Sequence, residues 1–324
     1  MKHVLRQLLI SAYLALGMTG YAWAQDYPSR PLRLIVAFPA GGGSDIVGRL
    51  LALKLGERLG QQVLVENRAG AGGSIGTEAS VRAAPDGYTL LLGGTSEIAV
   101  NPHIYSKLTY DTTKDLIPVA LVASTPMVVV VTPSLPINNV NDLIKFAKAK
   151  PNEVNVGSAG NGSFTHLAAE LFRSMNGLTW THVPYKGAPP ALTDLASGRV
   201  QVMFSTTPAA MALIKSNLIK PIGVSSQSRD PNLPDVPTIL ESGIVGYDVQ
   251  FWYGVFVPVG TPKEIVAKLA DSIGQIVKSK DVVDSLAKQG ANASLMNPAQ
   301  FADYVKTETD KWGKVVRESG AKID

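Results

Sequence analysis

The chain has 324 residues, 45% of them hydrophobic and 17% charged, which is enough for two ordinary domains and too apolar for wholesale disorder. It has no cysteine, which excludes disulfides, thiol catalysis and Cys-ligated metals. Its formal charge of +4 is small and its Lys and Arg form no cluster interleaved with aromatics, so no nucleic-acid partner is expected.

Residues 1–24 read as a secretory leader outside the fold. Lys2 and Arg6 make a basic start. The apolar residues 8–18 fall short of the roughly 20 that a spanning helix needs. Ala22-Trp23-Ala24 offers small residues at the positions a signal peptidase reads, with cleavage before Gln25. A membrane anchor is the competing reading, disfavoured by length and flanks. No cysteine follows, so a lipoprotein is excluded. Without Lys2 and Arg6 the charge is +2, which suits at most a weak preference for anions.

Residues 31–38 read as a buried strand. It opens into Phe38-Pro39-Ala40-Gly41-Gly42-Gly43-Ser44-Asp45, followed by an amphipathic helix over 45–59. A glycine loop before a helix N-terminus leaves amide donors exposed and attracts anions. A second strand, 63–65, ends in Glu66-Asn67-Arg68-Ala69-Gly70-Ala71-Gly72-Gly73-Ser74-Ile75-Gly76 before a helix over 74–84. A third strand, 89–92, opens into Gly93-Gly94-Thr95-Ser96. In a parallel sheet these three loops emerge at the carboxyl edge, where open α/β sheets bind ligands.

Two β-branched runs follow, 119–123 and 128–131, with Pro126 between them and residues 133–136 breaking the pattern. This is the first candidate crossover between domains. A helix is expected over 141–150 and a strand over 154–156. Then Gly157-Ser158-Ala159-Gly160-Asn161-Gly162-Ser163-Phe164-Thr165-His166 repeats the theme ahead of a helix over 163–175. Strands at 182–184, 200–204 and 219–224 alternate with helices at 190–197 and 208–215. Again the strand ends carry Gly, Ser or Thr. The apolar stretch 249–257 is the return crossover, and helices over 263–278, 280–289 and 298–319 close the chain. The plan is α/β: residues 25–124 with 250–324 as one domain, 125–249 as the other, and glycine loops facing across a cleft.

Glycine loops of this kind occur in several chemistries. A dinucleotide fingerprint needs glycines at relative positions 1, 3 and 6, but from Gly70 the third falls one residue late at Gly76. Tight turns alone are the plainer alternative for any one loop. Gly72-Gly73-Ser74-Ile75-Gly76 has the letters of a nucleophile elbow without a strand directly before it. Ser163 and His166 share a helix face but lack a third group to orient the base. His3, His103, His166 and His182 have no metal-ligand spacing, and no cofactor is implied. The aromatics Phe38, Phe164, Tyr185, Phe204, Trp252 and Tyr253 suit core and hinge packing, yet several stand beside the expected ligand loops. Arg68 and Lys186 could each pair with a carboxylate, against the ordinary reading of solvated surface.

The opening Tyr27-Pro28-Ser29-Arg30-Pro31 and the first glycine loop resemble the start of the mature Bug, or TctC-type, solute-binding proteins. So do the Glu66 to Gly76 segment, Ala84-Pro85-Asp86-Gly87-Tyr88-Thr89-Leu90, Val183-Pro184-Tyr185-Lys186-Gly187, Pro234-Asp235-Val236-Pro237-Thr238 and Gly260-Thr261-Pro262. The resemblance covers essentially residues 26–324. It implies a two-domain α/β fold like that of type II periplasmic binding proteins, each domain a Rossmann-like sheet flanked by helices. It implies a periplasmic receptor, with no catalysis, that passes a carboxylate to the permease subunits of an ion-driven tripartite tricarboxylate transporter. It further implies that residues 40–45 and 68–74 hold one ligand carboxylate through backbone groups and ordered waters, while residues 158–166 receive the distal part.

The expected ligand-binding residues are Phe38, Ala40, Gly41, Gly42, Ser44, Asp45, Arg68, Ala69, Gly70, Ala71, Gly94, Ser96, Ser158, Gly162, Ser163, Thr165, His166, Tyr185, Phe204 and Ser205. The aromatic set places a dicarboxylate such as terephthalate ahead of a citrate-like ligand. A monomer is expected. The alternatives are an α/β hydrolase acting through Ser74 or Ser163, or a receptor for an ATP-driven or another tripartite transporter.

Overall fold

The computed structural model describes residues 27–319; the expected leader lies outside them. β1 (Leu32–Val36) runs between β2 (Val63–Asn67) and β3 (Thr89–Gly94), parallel to both. Leu34, Ile35 and Val36 have no exposed surface, as a central parallel strand covered on both faces requires.

The β1–β2 connection is α1 (Gly43–Leu59), which starts two residues earlier than the sequence suggests because Gly42, not Ser44, is its N-cap. It stops at Gly60, whose left-handed backbone terminates a helix readily only in glycine. α2 (Ser74–Val81) returns from β2 to β3. A Cβ at Gly76 would stand 2.8 Å from both Ala37 Cα and Arg68 O. This glycine therefore lets the helix lie directly on the end of β1.

After β3 come two elements that the sequence reading missed: a π-helical turn, Thr95–Val100, and the short α3 (Asn101–Ile104). The turn is wholly buried, and its Glu97 is 1% exposed. Glu97 Oε1 accepts from Gly94 N at 2.8 Å, while Oε2 has no partner. Burial pushes this carboxyl up to about 8 despite the amide bond.

The two β-branched runs around Pro126 form one strand, β4 (Leu116–Val131). From Leu116 to Pro126 it pairs with β9 (Gln250–Pro258), and Leu121 to Ser124 also pair with β10 (Asn292–Met296). From Met127 to Val131 it pairs with β7 (Val202–Thr206) and β8 (Lys220–Val224). Pro126 sits where the partners change, a place in a long strand that tolerates a residue with no amide donor. Strands β5 (Asn155–Ser158) and β6 (Thr181–Pro184) complete the second group, parallel to each other, with β5 parallel to β7. β10 was not foreseen.

Helices α4 (Val140–Ala149), α5 (Phe164–Asn176), α6 (Ala188–Ala196) and α7 (Thr207–Lys215) belong to the second group of strands. α8 (Lys263–Lys278), α9 (Lys280–Lys288) and α10 (Pro298–Ser319) end the chain. α10 drives Phe301 into the space left by Gly254 of β9, and Trp252 packs edge-on to the same ring. Trp252 is thus core, fully buried between Phe301, Tyr304 and Phe256. Phe204 is equally buried among Phe172, Trp180 and Tyr247. Neither ring faces a cleft, which corrects the expectation that they wall one. The architecture is α/β, as the sequence predicts: two groups of strands joined through β4 and flanked by helices.

Two outcomes follow from this packing. Gly76→Ala should destabilise the protein by about 1–3 kcal/mol, read as a lowered denaturation midpoint, because backbone rather than a flexible side chain blocks the new methyl. Glu97 binds its proton more tightly folded than unfolded. Its contribution therefore lowers stability as pH rises from its ordinary 4.5 to about 8, on the order of a few kcal/mol. Glu97→Gln should flatten that part of the stability–pH curve; an unchanged slope would show that Glu97 is not its source.

Candidate ligand-binding cleft

No side chain caps the N-terminus of α1. Asp45, the first-turn acid that could have served, turns back to accept from Gly41 N, Arg49 Nε and Asn67 Nδ2, each at 2.9 Å. Burial alone would raise its pKa. The bonds from Arg49, Gly41 and Asn67, with the Arg49 charge, hold it below the usual value. Asn67 also donates to Phe38 O at 2.9 Å, so this cluster fixes the glycine loop to the end of β2. Gly41 takes φ +79°, which favours glycine. Gly42, Gly43 and Ser44, at the start of α1, line the cleft with no side chain capping the helix.

Two further helices begin on the opposite side. α5 has Ser163 as its N-cap; the Ser163 Oγ accepts from His166 N at 3.4 Å and donates to Gly160 O at 2.7 Å. Phe164 N donates across the cleft to Ser96 Oγ at 2.9 Å. α7 has Thr206 as its N-cap and no side-chain cap bond. The chamber between the three helix starts, about 410 Å³ including its mouth, is lined by Phe38, Pro39, Gly42, Gly43, Ser44, Ser96, Ala159, Ser163, Phe164, Thr165, Ala188, Thr206, Phe251 and Tyr253. None of these carries a charge at neutral pH, since burial raises the Tyr253 phenol well above its ordinary value.

An outer vestibule shares Phe38, Pro39 and Ala159 with the chamber. It adds Ala69, Gly70, Ala71, Gly72 and Gly73 from one side, and Gly160, Asn161, Pro184, Tyr185, Lys186 and Gly187 from the other. Residues 70–73 all have positive φ, including the non-glycine Ala71 at 46°. Such backbone strain is concentrated where function demands it. The two sides touch: a Cβ at Gly187 would run into Pro39, and Tyr105 Oη donates to Asn161 O at 3.4 Å.

The expected residues divide three ways. Phe38, Gly42, Ser44, Ser96, Ser163 and Thr165 line the chamber. Ala69, Gly70, Ala71 and Tyr185 line the vestibule, where the Tyr185 hydroxyl, pushed up to about 12 by burial and by Asp194, donates to Asp194 at 2.8 Å.

The remaining ten line neither space, and most have structural positions. Gly41 and Asp45 hold the loop, and Ala40 is an exposed residue within it. Arg68 pairs with Glu66 at 2.6 Å. Gly94 donates to Glu97, and Ser205 Oγ donates to Thr206 O at 3.2 Å. Phe204 is core. Ser158, Gly162 and His166 form a brace behind the second jaw. Gly162 N donates to His166 Nδ1 at 3.3 Å, the Ser158 hydroxyl meets His182 Nε2 at 2.6 Å, and the imidazoles stack 3.8 Å apart. Burial lowers the pKa of both histidines. Proximity to His166 takes His182 down further, to about 3, so that ring stays neutral.

Sequence reasoning missed Thr206, Phe251 and Ala188. Thr206 had a signal: Thr206-Thr207-Pro208 has an N-cap residue and then proline in the first turn of a helix. For Phe251 the signal was alternation along β9, which sends Phe251 and Tyr253 to the cleft and Trp252 to α10.

Residues 47–321 match the tripartite tricarboxylate transporter family receptor, TctC. Protein BugT of Bordetella pertussis is 39% identical over 308 residues, spanning 95% of this chain and 94% of BugT. A UPF0065 protein from the tcbD-tcbE intergenic region of Pseudomonas sp. strain P51 is 38% identical over 314 residues, 95% and 93% of the two chains. Among solved structures, R. palustris Rpa4515 with adipate matches with a TM-score of 0.90 at 37% identity, covering 92% of this chain and all of the other. MatC from Rhodopseudomonas palustris with bound malate matches at 0.84 and 32% identity, covering 90% of this chain and 100% of MatC. The architecture, the order of the glycine loops and these likenesses agree: the chain belongs to the TctC family of tripartite tricarboxylate transporter receptors.

Proposed function

We propose that this receptor captures an organic carboxylate in the periplasm and delivers it to the permease subunits of a tripartite tricarboxylate transporter, without chemistry of its own. The observation that carries this is the meeting of the α1, α5 and α7 N-termini at one chamber with no charged side chain in its lining. Helix starts supply amide donors and partial positive charge, which suit an anion and need no Arg or Lys. The relatives with adipate and malate support a carboxylate as that anion. An aromatic dicarboxylate such as terephthalate, or another di- or tricarboxylate, is the candidate ligand.

The working parts we assign are residues 25–124 with 250–324 as one domain and 125–249 as the other, acting as a monomer that closes on its ligand. The hydrolase reading loses support from the serine hydroxyls. Ser74 Oγ donates to Ala71 O at 2.8 Å and Ser163 Oγ to Gly160 O at 2.7 Å, so neither proton is directed to an imidazole.

Thermal-shift screening of the purified protein against adipate, terephthalate, malate and citrate tests the reading. A true ligand at a hundred times its Kd should stabilise by roughly 2.7 kcal/mol. If no carboxylate raises the melting temperature, the reading fails. Gly187→Ala should oppose closure, because its methyl meets Pro39. The expected result is a ligand Kd raised about tenfold, equivalent to roughly 1.4 kcal/mol.

A further inference from the structure

Tyr253 presents a buried polar atom that the fold leaves poorly satisfied. The residue is 1% exposed, its ring lines the chamber, and its Oη makes no well-formed hydrogen bond, having only the Thr206 hydroxyl as a polar neighbour. Leaving a buried hydroxyl unpaired costs free energy, and such a group is retained where a ligand completes it. Its position is specific. A Cβ built on Gly43, the first residue of α1, would stand 2.7 Å from Tyr253 Oη and 2.5 Å from Thr206 Oγ1. The two hydroxyls therefore converge on the uncapped end of α1, one from β9 and one from the N-cap of α7.

Resting on the carboxylate reading above, we propose that Tyr253 Oη, with Thr206 Oγ1 beside it, is the side-chain donor that receives the ligand carboxylate at the start of α1, and that the acid carries an apolar body. The first part follows from chemistry. A carboxylate oxygen resting on an amide floor keeps a lone pair free, and a neutral phenol can only donate to it. The second part follows from the walls. Phe38, Phe164 and Phe251 surround the site, and Phe164 and Phe251 meet edge to face at 5.2 Å between ring centres. A hydroxyl-bearing polycarboxylate would leave polar groups unmatched against these rings, whereas an alkyl chain or aromatic ring would not. Gly43 also acquires a role: any side chain there would collide with both hydroxyls and drive them from the start of α1.

Calorimetric titration of the wild type, Tyr253→Phe and Thr206→Val with adipate, terephthalate and citrate tests both parts. The wild type should bind adipate or terephthalate more tightly than citrate. Tyr253→Phe should raise the Kd of the preferred acid about ten- to a hundredfold, the range expected for a hydrogen bond to a charged group. Its ligand-free melting temperature should stay the same or rise, since an unpaired hydroxyl is removed. Thr206→Val should weaken binding less. Tyr253→Phe binding within twofold of a wild type that binds well would overturn the Tyr253 assignment and leave the receptor reading intact. Citrate binding most tightly would overturn the apolar body. A wild type that binds no carboxylate would overturn the receptor reading, and this inference with it.

Discussion

The arrangement depends on an acid that does not cap its helix. Asp45 stands in the first turn of α1, where a carboxylate ordinarily neutralises the free amides and is stabilised by the helix dipole. Here it turns to Gly41, Arg49 and Asn67. It thus secures the glycine loop in an unusual backbone conformation while leaving the amides at the start of α1 without an internal anion. One side chain builds the site's shape and preserves its appetite for charge.

The second requirement is to bring other helix starts to face that one. Two antiparallel strands do this. β4 pairs with β9 and β10 along its first part and with β7 and β8 along its second, so one continuous backbone runs between the two groups of strands. β9 uses its two faces differently. Trp252 is packed against α10, while Phe251 and Tyr253 point into the cleft. The bond from Trp252 N to Thr95 Oγ1 at 3.0 Å ties this strand to the buried turn that holds Glu97. The strand paired along the crossing strand β4 is therefore also a wall of the site.

Much of this was legible in the sequence because it rests on local rules. Apolar runs marked the strands, and glycine clusters marked the loops at their carboxyl ends. Ser163 reads as an N-cap and is one. What escaped depends on tertiary context. The π-helical turn at Thr95–Val100 has no periodic signature: Glu97 and Gly94 bond each other within it, but Thr95 and Ser96 accept from Trp252 N and Phe164 N, which the chain supplies from afar. The sequence reading places Phe204 and Ser205 in the site, whereas the residue that lines the chamber is the next one, Thr206. A strand's faces alternate, so Ser205 points away from the chamber that Thr206 lines, while Phe204, two residues back, is packed among Phe172, Trp180 and Tyr247. Gly76 looked like part of a ligand loop, but its neighbours Ala37 and Arg68 show it to be a packing glycine.

The absence of charged side chains from the chamber lining bears on how a receptor of this kind would work. A buried Arg or Lys facing the ligand would need a counter-charge at all times, and without one would carry a large desolvation penalty. Helix starts avoid that penalty, because their charge is partial and spread over amides that helix geometry already fixes. On the proposed reading they also divide the binding energy between α1 on one side and α5 and α7 on the other. A ligand between them is fully satisfied only while both sides are close, as the contact of Gly187 with Pro39 keeps them here. Once the sides separate, each retains only part of its hold, and no residual ion pair obstructs release. On the proposed reading, the chemistry that makes the closed site selective for an anion also makes the open one ready to give it up.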